Sequence, residues 1–141
     1  FELTKKRMDI TELKNGVTLI NDSYNASFES MQASLKYLNG LNSKRKIAVL
    51  GDMFELGENS KELHKEVGQA AVGKVDILVC IGNLSKDIAE AAIEGGCNTL
   101  YFPNKADFEE NLSAYIKEGD TVLIKASNGM KFKTIVEKLK G

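Results

Sequence analysis

The chain is expected to adopt an α/β fold: a Rossmann-like, mostly parallel sheet with one antiparallel strand and helices on both faces. Three observations predict it. Short apolar strand candidates alternate with segments of helical periodicity, those strands are apolar on both faces, and an Asn-Gly turn near the start folds back a hairpin. With 141 residues and 43% apolar content, the chain has the size and apolar material for one core, so residues 1–141 read as a single domain.

Residues 8–13 and 17–21 flank Lys14-Asn15-Gly16, and the Asn-Gly pair is the tight-turn signal that joins two antiparallel strands. Further strands are expected at 46–50, 76–81, 99–102 and 120–125. Between them lie four apolar faces at helical spacing: Phe28, Met31, Leu35 and Leu38; Leu63, Val67, Ala70 and Ala71; Phe108, Leu112, Tyr115 and Ile116; Phe132, Ile135, Val136 and Leu139. Residues 86–94 give a weaker fifth helix. Ser27, Asn59 with Glu62, Ser85, and Asn104 with Asp107 supply N-cap chemistry, and Pro103 ends the strand before it. In open sheets of this kind ligands gather beyond the carboxyl ends of the strands. That rule points to loops 22–27, 51–57, 82–85, 103–104 and 126–129.

Charge and composition exclude several classes of function. Lys and Arg number 19 against 20 Asp and Glu, a formal charge of -1, so no broad basic field exists for nucleic acid or an anionic membrane. Any anion site must be local. The apolar runs 47–50 and 77–81 are too short to cross a bilayer and no signal segment opens the chain, which predicts a cytoplasmic protein without membrane insertion. Cys80 and Cys97 lack metal-ligand spacing, and Cys80 lies in an apolar run, so reduced thiols are expected. The chain begins at Phe1 without an initiator Met, which suggests a segment of a longer polypeptide.

Gly68-x-x-x-x-Gly73-Lys74-Val75 comes close to a phosphate-binding loop but is inverted in context. A true phosphate loop follows a strand and opens a helix; here the glycines end a helix and precede a strand, and Val75 replaces the Mg2+-binding hydroxyl. Gly73 therefore reads as a helix stop with Lys74 complementing the dipole. Asn21-Asp22-Ser23-Tyr24-Asn25-Ala26-Ser27 follows a strand and leads into a helix. Alone, it suits a capped turn as well as a nucleoside site, where Asp22 would accept from ribose hydroxyls and Tyr24 and Asn25 would offer a ring and an amide. Gly51-Asp52-Met53-Phe54-Glu55-Leu56-Gly57-Glu58 carries three carboxylates; a solvated acidic loop is the default, an ammonium or metal site the alternative. His64 has no second His or Cys nearby and reads as structural. Lys125-Ala126-Ser127-Asn128-Gly129-Met130 opens the last helix, where free NH groups suit a carboxylate or phosphate and an ordinary Ser or Asn cap is the alternative. No metal site and no nucleophilic triad is expected.

Taken in order and spacing, the 21–27 loop, Ala48-Val49-Leu50-Gly51-Asp52-Met53-Phe54-Glu55-Leu56-Gly57, Leu63-His64-Lys65-Glu66-Val67-Gly68 and residues 125–130 resemble the C-terminal domain of the Mur ligase family of cell-wall enzymes. The Asp-Ser-Tyr-Asn form of the first loop resembles the members that add D-alanyl-D-alanine. The resemblance implies ATP-dependent amide-bond formation in peptidoglycan precursor synthesis: a UDP-N-acetylmuramoyl-tripeptide carboxylate takes the ATP γ-phosphate, and the D-alanyl-D-alanine amine displaces it. It also implies that an N-terminal UDP-sugar domain and a central ATPase domain lie outside this chain, the central one holding most of the Mg2+. On the same resemblance Arg7 is a catalytic residue reaching the ATP phosphates. Asp22, Tyr24 and Asn25 bind ATP on the adenosine side. Asp52, Glu55, Asn83, Ser127 and Asn128 face the dipeptide. Two positions depart from the pattern: Phe28 stands where the family often has Pro, and Asn128 where it usually has Arg, whose bidentate cationic fork an amide does not replace.

Two other readings compete. A receiver-like signalling module would use Asp52 as phosphoacceptor and Lys125 as its partner, but it needs an acidic pair after the first strand, where this chain has only Asp22. The C-terminal domain of a folylpolyglutamate synthase-like amide ligase is the second, opposed by the Ser-Tyr-Asn loop.

Overall fold

The computed structural model describes residues 8–141. Six strands form one sheet in the order β1-β2-β6-β3-β4-β5: β1 is Asp9–Glu12, β2 Thr18–Asp22, β3 Arg45–Gly51, β4 Ile77–Ile81, β5 Thr99–Phe102 and β6 Asp120–Lys125. The hairpin forms as expected. β1 pairs antiparallel with β2, and every other pairing is parallel. β1 is exposed along its length as an edge strand, whereas all six residues of β6 are buried at the sheet centre.

Helices cover both faces. On one side α1 (Phe28–Asn39), α2 (Ser60–Ala71) and α3 (Ser85–Glu94) close a core around Ile20, Leu35, Leu50, Val67, Leu78 and Ile88. On the other, α4 (Lys105–Glu109), α5 (Leu112–Tyr115) and α6 (Lys133–Lys140) close a second around Val49, Phe108, Ile124, Phe132 and Ile135. Alternate residues of β3 and β6 point into opposite cores, as period-2 geometry requires. Both cores close within the chain, the condition for folding as a unit.

Local chemistry sets several boundaries. Ser27 caps α1 in a reciprocal box with Ser30, and Asn104 caps α4 through Ala106 N and Asp107 N. Gly73, at φ +80°, follows the end of α2, and Lys74 Nζ donates to Ala70 O at 2.7 Å, so the pseudo-phosphate-loop is a helix stop. Gly68 serves packing: a Cβ there would sit 2.2 Å from Ile88 O, so only glycine lets α2 approach α3 this closely.

Three expectations need correction. The single helix expected over 108–116 breaks into α4 and α5 because Asn111 leaves helical geometry between them. Asn59 makes no capping bond; it ends a 3₁₀ turn, Gly57–Asn59, that runs into α2. Ser85 lies inside α3 rather than capping it, and its buried hydroxyl bonds Asp52 instead.

Candidate functional site

The parallel strands end at Asp22, Lys125, Gly51, Ile81 and Phe102, and the loops that follow gather at one edge. In-register pairing of Asp22 with Lys125 puts the only charged residues of two neighbouring strand ends side by side. Lys125 follows the apolar run Val122, Leu123, Ile124 and is buried; a lone ammonium there would be costly without a carboxylate. It has one. Lys125 Nζ lies 2.9 Å from Asp22 Oδ2 and donates to Asn25 O at 3.0 Å, while Ser34 Oγ donates to the same Asp22 oxygen at 2.7 Å.

Both contacts fall on Oδ2. Asp22 lines a cavity of about 650 Å³ together with Tyr24, Asn25, Ser30, Ser34 and Lys125 among others. This volume is in the usual range of a small-ligand site. Tyr24 is exposed over its ring, and its hydroxyl donates to Asp9 Oδ2 on β1 at 3.0 Å. That bond, then slight burial and the Asp9 charge, raise the phenol above its ordinary range. A second cavity, about 550 Å³, lies on the other side of Tyr24, with Asn21, Ser23, Asn128, Lys131 and Lys133 in its wall.

The 52–57 loop is built differently. Asp52 Oδ1 accepts from Ser85 N and Ser85 Oγ, both at 2.8 Å, and Asp52 O accepts from Ser127 N at 3.0 Å. Met53 N donates to His64 Nε2 at 3.0 Å, and the other ring nitrogen, Nδ1, lies 2.7 Å from Ser60 O. The two contacts define a neutral ring with the proton on Nδ1. Phe54 N donates to Ser127 Oγ at 2.8 Å. Three successive residues are thus fastened to α3, α2 and the β6 loop. Gly82, at φ +116°, completes the fastening, since a Cβ there would lie 2.5 Å from Asp52 Oδ1. Tyr101 Oη donates to Gly82 O at 2.9 Å, and burial followed by the Asp52 charge raises its phenol.

The structure therefore brings Asp22, Tyr24 and Asn25 to one cavity and Tyr24 and Asn128 to the other. Asp52, Glu55 and Asn83 line neither, and Ser127 spends its hydroxyl on the 52–57 loop rather than capping the last helix, which begins at Lys133 after a 3₁₀ turn, Asn128–Met130. Arg7 lies outside the described residues. Lys125 and Ser34 also line the first cavity, where the sequence reading gave them no role; the available signal for Lys125 was a lysine ending the run Val122, Leu123, Ile124. Lys125 pairs with Asp22, not Asp52, which removes the geometry a receiver module would need. His64 is structural, as expected. Cys80 is buried, which pushes its thiol up, and Cys97 is half-buried; both are free. Among the described residues no three His, Cys, Asp or Glu side chains converge on a metal-sized site, and no helix is long and apolar enough to cross a membrane.

A mostly parallel sheet wrapped on both faces by helices, with two cavities at its carboxyl edge, defines a Rossmann-like α/β fold. The family model for "Mur ligase, glutamate ligase domain" matches residues 6–128, and the chain belongs to the Mur ligase family. It is 34% identical over 98% of its length to the UDP-N-acetylmuramoyl-tripeptide–D-alanyl-D-alanine ligase of Bacillus subtilis and covers 31% of that protein. The enzyme of the same name from Buchnera aphidicola is 36% identical over 97% of this chain and is covered to 29%. Among solved structures, the MurF ligase of Thermotoga maritima in complex with ADP superposes with a TM-score of 0.79 at 29% identity, covering 96% of this chain and 30% of that one. MurF from Acinetobacter baumannii gives 0.84 at 25% identity, with 96% and 30% covered. The chain thus spans about a third of the length of these relatives.

Proposed function

We propose that this chain is the C-terminal domain of a cytoplasmic, ATP-dependent ligase that adds D-alanyl-D-alanine to UDP-N-acetylmuramoyl-tripeptide in peptidoglycan precursor synthesis. The observation that carries the reading is the 650 Å³ cavity at the end of β2, walled by Asp22, Tyr24 and Asn25, in a chain whose relatives of that name align along nearly its whole length. An N-terminal UDP-sugar domain and a central ATPase domain would complete the enzyme and hold the Mg2+.

In this reading Asp22 Oδ1 accepts a ribose hydroxyl, Tyr24 offers its exposed ring to the base, and Asn25 supplies an amide beside it. Lys125 neutralises Asp22 on the buried side and, through Asn25 O, fixes the loop, so the acceptor is held in place before the nucleotide arrives. The γ-phosphate passes to the tripeptide carboxylate, and the dipeptide amine then attacks the acyl phosphate and releases inorganic phosphate. Closure of this domain would exclude water and protect the acyl phosphate from hydrolysis, with Arg7 offsetting charge on the phosphate oxygens. The 52–57 loop would hold the β6 loop, where Ser127 and Asn128 face the dipeptide side.

The test is phosphate release by the full-length enzyme. Turnover must require ATP, UDP-N-acetylmuramoyl-tripeptide and D-alanyl-D-alanine together, and the isolated 141-residue chain must release none. Turnover with glutamate or a single amino acid in place of the dipeptide would assign the chain to another amide ligase.

A further inference from the structure

Three Asn-Gly pairs occur in the sequence, Asn15-Gly16, Asn39-Gly40 and Asn128-Gly129, and all three asparagines are exposed. Such a pair is chemically labile, because a glycine nitrogen unshielded by a Cβ attacks the side-chain carbonyl carbon of the asparagine before it. The attack needs a glycine NH without a hydrogen bond and a side-chain amide free to rotate, so bonds at either group slow it by the cost of breaking them.

Two of the pairs are held in this way. In the hairpin turn Gly16 N donates to Leu13 O at 3.0 Å and Asn15 Oδ1 accepts from Val17 N at 3.2 Å, which ties both nitrogen and amide. At the end of α1, Gly40 N lies 3.2 Å from Lys36 O and 3.1 Å from Tyr37 O, and Asn39 O accepts from Lys46 Nζ at 2.6 Å, which fixes the peptide that would have to turn. Asn128-Gly129 is different. Among the described residues neither Gly129 N nor the Asn128 side-chain amide has a hydrogen-bond partner. The Ser127 hydroxyl stands where it could cap this turn, but it accepts from Phe54 N instead. Only the turn bond from Lys131 N to Asn128 O, 3.0 Å, must loosen for the backbone to swing.

We propose that Asn128 is a site of spontaneous covalent modification, converted through a cyclic imide to aspartate and isoaspartate, while the fold protects Asn15 and Asn39. Gly129 N bonds to Asn128 Cγ, the Cγ–Nδ2 bond breaks, and Nδ2 leaves as ammonia with the proton that Gly129 N gives up. Water then opens the imide. Cleavage between the nitrogen and Cγ restores the main chain with an aspartate; cleavage on the other side of the nitrogen routes the main chain through Cγ and gives isoaspartate. Water is the only co-reactant, so the step is independent of the ligase reading above. Either product puts a carboxylate beside Lys131 and Lys133 in the cavity of about 550 Å³, whose wall has none before the reaction.

The test is ageing of the 141-residue chain, whose two cores close within it, at mildly alkaline pH, with peptide mapping by mass spectrometry and enzymatic methylation of isoaspartate. Circular dichroism throughout the incubation keeps loop chemistry distinct from unfolding, and a parallel incubation in denaturant gives the rate of each pair without the fold. In the folded chain Asn128 is expected to convert about tenfold or more faster than Asn15 or Asn39, the factor that one or two hydrogen bonds impose. In denaturant the three rates should converge. Isoaspartate must be among the products, because direct hydrolysis of the amide gives aspartate alone. Asn128→Gln, whose longer side chain closes the ring far more slowly, should remove the new acid from that peptide and leave the other two pairs unchanged. The proposal is overturned by equal rates at the three pairs in the folded chain, by faster conversion at Asn15 or Asn39, or by aspartate without isoaspartate at Asn128.

Discussion

The loops after β2 and β3 each begin with a buried aspartate, and they use it in different ways. Asp22 gives one oxygen to Lys125 and Ser34 and lines a cavity. Asp52 spends an oxygen on the Ser85 amide and hydroxyl, and the two residues after it fasten to His64 and Ser127. An ion pair beside a cavity and a loop staple thus start from the same side chain at the same kind of strand end. What separates them is the partner: an ammonium with a cavity beside it in one case, the first turn of a neighbouring helix in the other.

The sharpest way to break this comparison is to remove each aspartate. A residue that served only as a ribose acceptor could be replaced without harm to the fold, but Asp22→Ala would leave the Lys125 ammonium buried and uncompensated. It is expected to cost about 3 to 5 kcal/mol of stability, measured by chemical denaturation. Asp52→Ala leaves only neutral donors without an acceptor, the Ser85 NH and OH, and should cost about 1 to 3 kcal/mol. If the order of the two losses were reversed, the roles assigned to the loops would be exchanged.

A smaller effect is expected at Asn128, where the family pattern has arginine. If the β6 loop holds an anion, Asn128→Arg in the full-length enzyme should lower the Michaelis constant for D-alanyl-D-alanine by an amount corresponding to about 1 kcal/mol, roughly fivefold. A fall in the ATP constant alone would instead assign that loop to phosphate. The smallest effect concerns Tyr24. Its bond to Asp9 raises the phenol above 10.0, so the bond contributes stability at neutral pH and loses it as the pH climbs past the ordinary phenol range. Asp9→Asn should bring the Tyr24 titration, followed by its ring resonances, back toward the ordinary value, with a small loss of stability at neutral pH that fades as the pH climbs past the phenol range.

Much of the fold was legible because its determinants are local. The Asn-Gly turn fixed the hairpin, period-2 and period-3.6 patterns located the strands and helices, and strands apolar on both faces required helices on both sides. Asn111 broke the helix expected over 108–116 because short helices survive on tertiary packing rather than on periodicity alone. The loop residues were harder. Nothing within three or four positions of Asp52 reveals that Ser85 will reach it from 33 residues away, or that Ser127 will turn its hydroxyl to Phe54 N. Lys125 was missed as well: the sequence reading weighed only Asp52 as its partner, and the lysine closing the run Val122-Leu123-Ile124 takes its buried acid, Asp22, from another strand of the sheet 103 residues away.

The central claim is that the β2 loop takes the nucleotide and the β3 loop takes its neighbours. The direct measurement is the Michaelis constant for ATP in the full-length enzyme carrying Asp22→Asn or Asp52→Asn, each of which keeps side-chain size and an acceptor oxygen. The account predicts a rise of about fivefold for Asp22→Asn, where a charged acceptor becomes a neutral one, and no change for Asp52→Asn. An unchanged constant for Asp22→Asn with a raised one for Asp52→Asn would contradict it.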